Sequence, residues 1–400
     1  MKKISKFMLA AVASVALAAP AFAWDFSASG SASAAFNITT TKADKDTDAV
    51  GSGGVSSDVG AITLSSTNAD GANTSTLSYA VDWADSGLDE TLSISGSRKV
   101  GDWTGSAGAS YNLDRPGCTA TDNGSGSTAG ATRGCAQQTG GDTTALTLTD
   151  GTMTIVLGDA SHLSSQNVGS GSNAAGAVGF GGDDDGIGAR VGGYNGVSLG
   201  YAVSDTMSVA VAYQASGDVA DACGSGDAVQ DGETAYHGIS GTGFSFNGTF
   251  GTIGVGATIC NAATESKVST LSTSTATSTM GVGVSMDFGD IDPWISFGTY
   301  SSIGTVSKAG VAYVGTDIGL TYALGSDTVV FSSTSSTEIS TASGGTAGEA
   351  QAKSGMELGY STAVGPMGLA IGYGSTTKDQ KGGVEGYSYS DIEVEMSISF

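Results

Sequence analysis

The chain has 400 residues, of which 64 are glycine and 4 are proline, and 14% are charged. Acidic residues outnumber basic ones by 39 to 15, which gives a formal net charge of -24 at pH 7. This excludes a general nucleic-acid-binding protein, because neutralising phosphates requires a basic surface. The composition is rich in glycine, serine and threonine and shows no long amphipathic helical pattern, which indicates a chain that is nearly all β.

The first 23 residues have the pattern of a secretory signal peptide. Lys2, Lys3 and Lys6 form a basic start, residues 7–19 form an apolar run, and residues 21–23 (Ala-Phe-Ala) form a small-residue cleavage pattern. The alternative is an N-terminal membrane helix, but the run is shorter than the roughly 20 residues that a spanning helix needs. We therefore expect an exported chain in which residues 24–400 form a single domain.

Strand-sized segments with an apolar residue at every second position recur along the chain. In one of them, Met280, Val282, Val284, Met286 and Phe288 alternate with small or polar residues. Similar segments occur at residues 26–38, 103–113, 207–213 and 367–373. Each is long enough to cross a bilayer as a tilted strand with one apolar face. No later stretch is apolar enough for a spanning helix, so membrane insertion would have to use strands.

Short polar turns alternate with long polar connections between these segments, as in transmembrane β-barrels. The long connections are expected at residues 39–57, 114–142, 161–185, 216–234, 261–278, 334–353 and 375–386. Sixteen strands, the preferred count, result if residues 59–83 belong to the first outer loop and if residues 186–203 and 307–324 are single bent strands. Eighteen strands result if residues 59–64 and 76–83 form a further hairpin.

The last nine residues alternate strictly between apolar and polar and end on Phe400. Such a strand needs a backbone partner on both sides and lipid or a core against its apolar face. It resembles the terminal strand of Gram-negative outer-membrane barrels, which the barrel-assembly machinery reads. This resemblance implies a location in the outer membrane of a Gram-negative bacterium, outer-membrane lipid as a partner, and Met396, Ile398 and Phe400 as the assembly signal.

Residues 151–159 (Gly-Thr-Met-Thr-Ile-Val-Leu-Gly-Asp) are similar to the strand that precedes the constriction loop of Gram-negative general porins. With the signal peptide and the terminal strand, the resemblance to this outer-membrane β-barrel porin family spans most of the chain. It implies an all-β transmembrane antiparallel barrel of about 16 strands, with short periplasmic turns, long outer loops and a third loop folded into the pore. It also implies a homotrimer. The loop before Asp183 is poorer in charge than the loop of the family.

Alternation also sorts the charged residues. Ile187, Ala189 and Val191 are expected to face lipid, which directs Arg190 into the pore. The acidic residues that are out of phase with their apolar neighbours are Asp82, Asp287, Glu357, Asp391, Glu393 and Glu395. An acidic, water-filled pore concentrates cations. The alternative is that these carboxylates are solvated groups at strand ends. The predicted pore-lining or constriction residues are Asp159, His162, Asp183, Asp184, Asp185, Arg190, Asp287, Lys308 and Glu357.

Four cysteines in an exported chain favour disulfide bonds, and no Cys-x-x-Cys pair suggests a metal or redox site. Cys118 and Cys135 bracket one long connection, and a Cys223–Cys260 bond would join segments on either side of a strand pair. The sequence alone allows three connectivities.

Catalytic patterns are weak. The chain has two histidines, His162 and His237, and neither has metal-ligand spacing. Residues 196–200 match Gly-x-Ser-x-Gly but lie inside an alternating strand, whereas that motif needs a strand-to-helix turn. We therefore expect no enzyme and no cofactor, with weak divalent-cation binding by acidic loops left open.

The favoured function is a mildly cation-preferring porin for passive diffusion of small hydrophilic solutes and ions, because serine, threonine and glycine dominate the inward positions. Two alternatives remain. A substrate-specific outer-membrane channel would share the fold, and a secreted Ser/Gly-rich β adhesin would share the composition but should show a fixed repeat, which is not found.

Overall fold

The computed structural model describes residues 25–42, 48–82, 89–112, 143–159, 195–217, 235–268, 271–304, 310–341, 348, 350–379 and 386–400. These residues form eighteen β-strands, which are β1 (Asp25–Lys42), β2 (Val50–Asp70), β3 (Asn73–Asp82), β4 (Asp89–Val100), β5 (Trp103–Asn112), β6 (Thr143–Thr149), β7 (Met153–Asp159), β8 (Asn195–Ser204), β9 (Met207–Gly217), β10 (Ala235–Phe250), β11 (Ile253–Val268), β12 (Leu271–Met286), β13 (Ile291–Gly304), β14 (Gly310–Leu324), β15 (Asp327–Thr341), β16 (Gln351–Val364), β17 (Met367–Lys378) and β18 (Tyr387–Ser399). Within the same residues, no helix is long and apolar enough to cross a membrane.

The strands form one antiparallel sheet in which each strand pairs with its neighbours in chain order. The first strand, β1, pairs with both β2 and β18. This pairing order is that of a closed β-barrel, in which no strand is left as an edge. The expected fold class, an all-β antiparallel barrel, is confirmed.

The chain divides into two compact units. The first comprises Met1–Ala32, Asp58–Ala145 and Ser399–Phe400. Its ladder from β2 to β5 keeps one register without a shift.

The second unit comprises Ser33–Ser57 and Leu146–Ile398. Its ladder runs from β7 to β18, with register shifts between Ala202 and Ser204 and between Ile239 and Gly241.

Two-residue turns close many of the hairpins. In the β16–β17 turn, Gly365 has a φ of 65° and Pro366 follows it. A glycine with positive φ at the first central position is the requirement of a type II′ turn, whose twist matches that of the flanking strands. Proline suits the second position because its fixed φ is negative. A glycine with φ between 59° and 69° also occupies the first central position of the turns at Gly71, Gly101, Gly251 and Gly325, where a residue other than proline follows it.

Eighteen strands correspond to the larger of the two counts that the sequence allows. The additional hairpin is β2–β3, which runs through residues 59–83. Residues 310–324 form the single strand β14, as expected, and β8 begins at Asn195, so that residues 186–194 lie outside the described part.

The expected extents of three long connections were wrong. Strands occupy more than half of residues 39–57, 261–278 and 334–353, and β11 and β12 are separated only by residues 269–270. At the connection expected over residues 375–386, β17 extends only to Lys378. These strand ends are rich in serine and threonine, so they lack the alternating apolar residues on which the sequence interpretation depended. Threonine nevertheless favours extended backbone.

Side chains alternate between two faces. In β12, Met280, Val282 and Met286 are between 36% and 42% exposed, whereas Thr277 and Thr279, which precede them on the opposite face, are 2% exposed. We name the face with exposed large apolar side chains the outer face and the opposite one the inner face. A row of exposed aliphatic side chains on every second position is unfavourable in water, so the outer face needs apolar surroundings.

Candidate functional site

Acidic side chains gather on the inner face of β14 to β18, in the second unit. We call this surface the acidic wall. It carries six carboxylates and two ammonium groups within the described residues of these five strands, and these are Asp317, Glu338, Glu357, Asp391, Glu393, Glu395, Lys353 and Lys378. A surface of this charge attracts cations, because low-dielectric surroundings focus the field of the lining groups.

One register row crosses the centre of the acidic wall. Ser332 of β15 lies opposite Glu357 of β16, which lies opposite Gly374 of β17, which lies opposite Asp391 of β18. Ser332 Oγ donates to Glu357 Oε2 at 3.3 Å, and Thr39 Oγ1 of β1 donates to Asp391 Oδ1 at 3.5 Å. The glycine between the two acidic residues contributes no side chain, so nothing on β17 separates their carboxylates in this row.

We call the end of the strands that the two-residue turns connect the turn end, and the opposite end the loop end. The three acidic residues of β18 continue the wall toward the turn end. Asp391, Glu393 and Glu395 are 3%, 8% and 6% exposed, and they lie opposite Gly374, Gly372 and Ala370. They occupy every second position, so their Cα atoms are about 7 Å apart along the strand. Small neighbours on β17 leave room for these longer side chains. The last strand therefore presents an apolar face to one side and a row of carboxylates to the other.

Trp294, on β13, lies beside the half of the acidic wall that is nearer the turn end. Its Nε1–H donates to Asp317 Oδ2 at 3.3 Å, and it lies opposite Gly319 in the register of β13 and β14. The indole ring covers Gly319, where any added Cβ would collide with the ring and with the Phe331 carbonyl oxygen. Asp317 is 1% exposed, and the indole N–H supplies one of the hydrogen bonds that such a buried carboxylate requires.

The loop end of the wall carries its positive charges. Lys378 Nζ lies 3.1 Å from Glu338 Oε2 and 3.2 Å from Glu338 Oε1, which forms an ion pair between β17 and β15 across β16. Gln351, on β16, donates from Nε2 to the Asp379 carbonyl oxygen at 3.2 Å. The acidic character of the wall is therefore weakest at the loop end and strongest around Glu357 and β18.

The described residues contain three of the predicted pore-lining residues. Glu357 lies on the inner face, within the acidic wall. Asp287 lies after the end of β12, is exposed, and accepts a hydrogen bond from Gly289 N–H at 2.7 Å, which makes it a turn residue. Asp159 is the last residue of β7, opposite Asn195. The other predicted residues, His162, Asp183, Asp184, Asp185, Arg190 and Lys308, lie outside the described part, and the pore-lining role of the whole set stays a prediction.

Cys260 is fully buried on the inner face of β11 and takes part in a disulfide bond. Cys118, Cys135 and Cys223 lie outside the described residues, so the predicted connectivity stays a prediction. The predicted assembly residues Met396, Ile398 and Phe400 lie on the outer face and are 40%, 36% and 72% exposed.

Sequence analysis missed Asp317, Glu338, Lys353 and Lys378. Asp317 lies between Thr316 and the outer-facing Ile318, so the alternation that placed Glu357 could have found it. The other three were assigned to long connections, because the strand ends that carry them show no alternation of large apolar residues. Their position became visible only with the strand register.

No protein-family model matches the chain, and no curated protein matches it. Solved structures do match it. The outer membrane channel DcaP of Acinetobacter baumannii is 14% identical with a TM-score of 0.53, over 94% of this chain and 97% of that one. An anion-selective porin from Comamonas acidovorans is 12% identical with a TM-score of 0.50, over 94% of this chain and 100% of that one. The chain has the fold of the outer-membrane porins. The comparisons also support the expected location in the outer membrane.

One expectation requires correction. The sequence was interpreted as excluding an enzyme, but the matching structures include OmpT, an outer membrane protein of Vibrio cholerae, as well as porins. That structure is 9% identical with a TM-score of 0.47, over 94% of this chain and 98% of that one. A likeness of this degree concerns the fold alone and shows no activity.

Proposed function

We propose that this chain is an outer-membrane porin that forms a water-filled, mildly cation-preferring channel for passive diffusion of small hydrophilic solutes. The observation that carries the proposal is the acidic wall, where six carboxylates oppose two ammonium groups on one inner face. Apolar side chains on the outer face of the same strands meet lipid, and pairing between the described strands satisfies backbone groups that would otherwise be costly to place in the bilayer. Solutes then cross without energy input.

The preference for cations over anions follows from this chain's own residues. The similar porin from Comamonas acidovorans is described as anion-selective, so the fold does not determine the sign. Carboxylates at Glu357, Asp391, Glu393 and Glu395 raise the local concentration of cations and lower that of anions. Because Lys353 and Lys378 offset part of this charge, the expected preference is mild.

Reversal potentials in a salt gradient test the proposal. The variant Asp391→Asn, Glu393→Gln, Glu395→Gln removes three charges of the wall and keeps the side-chain sizes. The matched control, Asp70→Asn, Asp102→Asn, Asp290→Asn, removes three exposed charges at turns. We expect the cation-to-anion permeability ratio to fall in the wall variant and to stay close to that of the unmodified chain in the control. Equal ratios in all three proteins would refute the role of the wall.

Several finer features belong to the same proposal. The acidic run Asp183–Asp185 narrows the pore from the third loop and binds divalent cations weakly, and neutralising it with asparagine lowers the cation preference further.

The disulfide bond of Cys260 is formed with Cys223, and a second one joins Cys118 to Cys135. Residues 1–23 are removed on export. The barrel-assembly machinery inserts the chain through its last strand, and three copies assemble as a homotrimer.

A further inference from the structure

The inner face at the turn end of β8 to β12 contains a hollow that the acidic wall does not include. Its volume is about 460 Å³, within the range of roughly 300–1,000 Å³ that is usual for small-ligand sites. We call it the turn-end hollow. Its polar lining residues are Ser204, Asp205, Thr206, Ser208, Asn247, Thr249 and Ser285.

Backbone hydrogen bonds fix the frame of the turn-end hollow. Thr249 N–H donates to the Thr206 carbonyl oxygen and Ala202 N–H donates to the Thr152 carbonyl oxygen, both at 2.8 Å. The register shift between Ala202 and Ser204 marks an irregularity of the β8 ladder, and such bulges redirect the side chains beside them. The hollow is therefore built by the ladder itself, as a preformed surface.

Asn247 lies at the centre of the hollow. It lies opposite Ser208 on β9 and Gly256 on β11, and Gly254 lies opposite Ser285. Gly254, which belongs to the lining, has no side chain, and the Ser285 hydroxyl lies over it. The carboxamide of Asn247 consequently stands next to a space bordered by the hydroxyls of Ser208 and Ser285.

The chemistry of the lining distinguishes between solute classes. Six of its seven polar side chains are hydroxyls or an amide, which both donate and accept hydrogen bonds. Among the described residues that line the hollow there is no lysine, arginine or histidine, so these residues offer an anion no counter-charge. The single carboxylate, Asp205, is exposed at the turn. A neutral molecule with many hydroxyl groups satisfies this lining best, because each hydroxyl also donates and accepts.

We infer that the turn-end hollow is a weak binding site for neutral polyhydroxylated solutes, such as monosaccharides and linear sugar alcohols. This inference rests on the proposed channel function and names a solute class for it. Binding must be weak, because a channel site has to release what it holds. Cations follow the acidic wall of β14 to β18, whereas neutral solutes bind at β8 to β12.

Glucose block of the salt current through the mature chain in planar bilayers tests this inference. Asn247→Leu fills the hollow and removes the amide, and Asn261→Leu makes the same change on the exposed outer face of β11. Glucose changes the viscosity equally for all proteins, so only differences between them count. We expect concentration-dependent block and added current noise in the unmodified chain and in Asn261→Leu. In Asn247→Leu we expect the half-blocking concentration to rise roughly tenfold, the equivalent of one or two lost hydrogen bonds.

A second variant keeps the test decisive if Asn247→Leu does not fold. Ser208→Ala with Ser285→Ala removes two hydroxyls without adding volume, and the same weakening is expected. Salt conductance without glucose block in the unmodified chain, or equal block in all variants, would overturn this inference and leave the channel proposal intact. Folded, inserted protein without any salt conductance would overturn both.

Discussion

Gly30 and Phe400 exchange two backbone hydrogen bonds, which join the first strand to the end of the chain. Gly30 N–H donates to the Phe400 carbonyl oxygen at 2.8 Å, and Phe400 N–H donates to the Gly30 carbonyl oxygen at 2.9 Å. The Phe400 ring lies against Gly30, so that an added Cβ would be 2.7 Å from ring carbons and 2.9 Å from the Ala61 carbonyl oxygen. The terminal aromatic residue thus needs a residue without a side chain beside it.

We call the pairing of β1 with β18 the seam. Gly30→Val should disrupt this seam. The added methyl groups collide with the Phe400 ring and the Ala61 backbone, and overpacking of this kind costs roughly 1–3 kcal/mol. We expect a lower Tm by circular dichroism in detergent and a smaller yield of folded protein. Gly105→Val is the control, because a Cβ at Gly105 meets nothing within 4 Å. An equal Tm for the two variants would contradict the packing role of Gly30.

Trp294→Phe should weaken the acidic wall without leaving a large cavity. The change removes the indole N–H that donates to Asp317, a carboxylate that is 1% exposed. Losing one donor to a buried charged group costs about 1–3 kcal/mol. Denaturant-induced unfolding should show this loss, whereas Trp294→Phe combined with Asp317→Leu should recover part of it. If the single variant is as stable as the unmodified chain, the hydrogen bond does not support the wall.

Lys378 and Glu338 provide a third prediction, which concerns stability and selectivity separately. The side chains of the pair are 16% and 26% exposed, so solvent screens their attraction and a double-mutant cycle should yield about 0.2–1 kcal/mol. Lys378→Gln should raise the cation preference and Glu338→Gln should lower it, as measured by reversal potentials. Shifts of the same sign in both variants would show that neither charge acts on permeating ions directly.

We expect Asp150, in the β6–β7 turn, to make the stability of the fold depend on pH. Its carboxylate accepts hydrogen bonds from Met153 N–H at 2.7 Å and Thr152 N–H at 2.9 Å, which hold the pKa of Asp150 below its ordinary value of 3.8. A group whose pKa is lower in the folded state stabilises the fold above its unfolded pKa. This stabilisation is lost as the pH falls through the lower, folded value.

Asp150→Asn should therefore flatten the dependence of Tm on pH in the acidic range. The asparagine side-chain oxygen still accepts hydrogen bonds but does not titrate. A set of Tm values recorded from above to below pH 3.8 compares the two proteins. Identical slopes would mean that Asp150 contributes nothing to acid sensitivity. Asp102→Asn, at another exposed turn, serves as the control.

Much of the fold was predictable from the sequence because lipid imposes a simple pattern. Where the outer face is apolar, as at Met280, Val282 and Val284, the alternation gave the strands directly. Where the outer face carries serine and threonine, as at Ser333, Ser335 and Thr337, the same strand has no apolar signal, and β15 was expected to end too early.

The candidate site was predictable only in part. Glu357 and Glu393 were recognised because they interrupt apolar alternation. That Gly374 lies between Glu357 and Asp391 depends on the register of three strands, which no local pattern contains. The ion pair of Lys378 with Glu338 likewise bridges 40 positions of sequence.

The seam between β1 and β18 has a kinetic consequence. In the part of the chain that the structure describes, the other pairings join consecutive strands, many of them through two-residue turns. Such local contacts form early, because little loop entropy is lost. The Thr39–Asp391 hydrogen bond, by contrast, spans 352 positions. Closing this seam pairs two strands that lie far apart in the sequence, which costs the most loop entropy. The slowest phase of folding should therefore respond to changes at Gly30 and Phe400 and be indifferent to changes at the turn glycines.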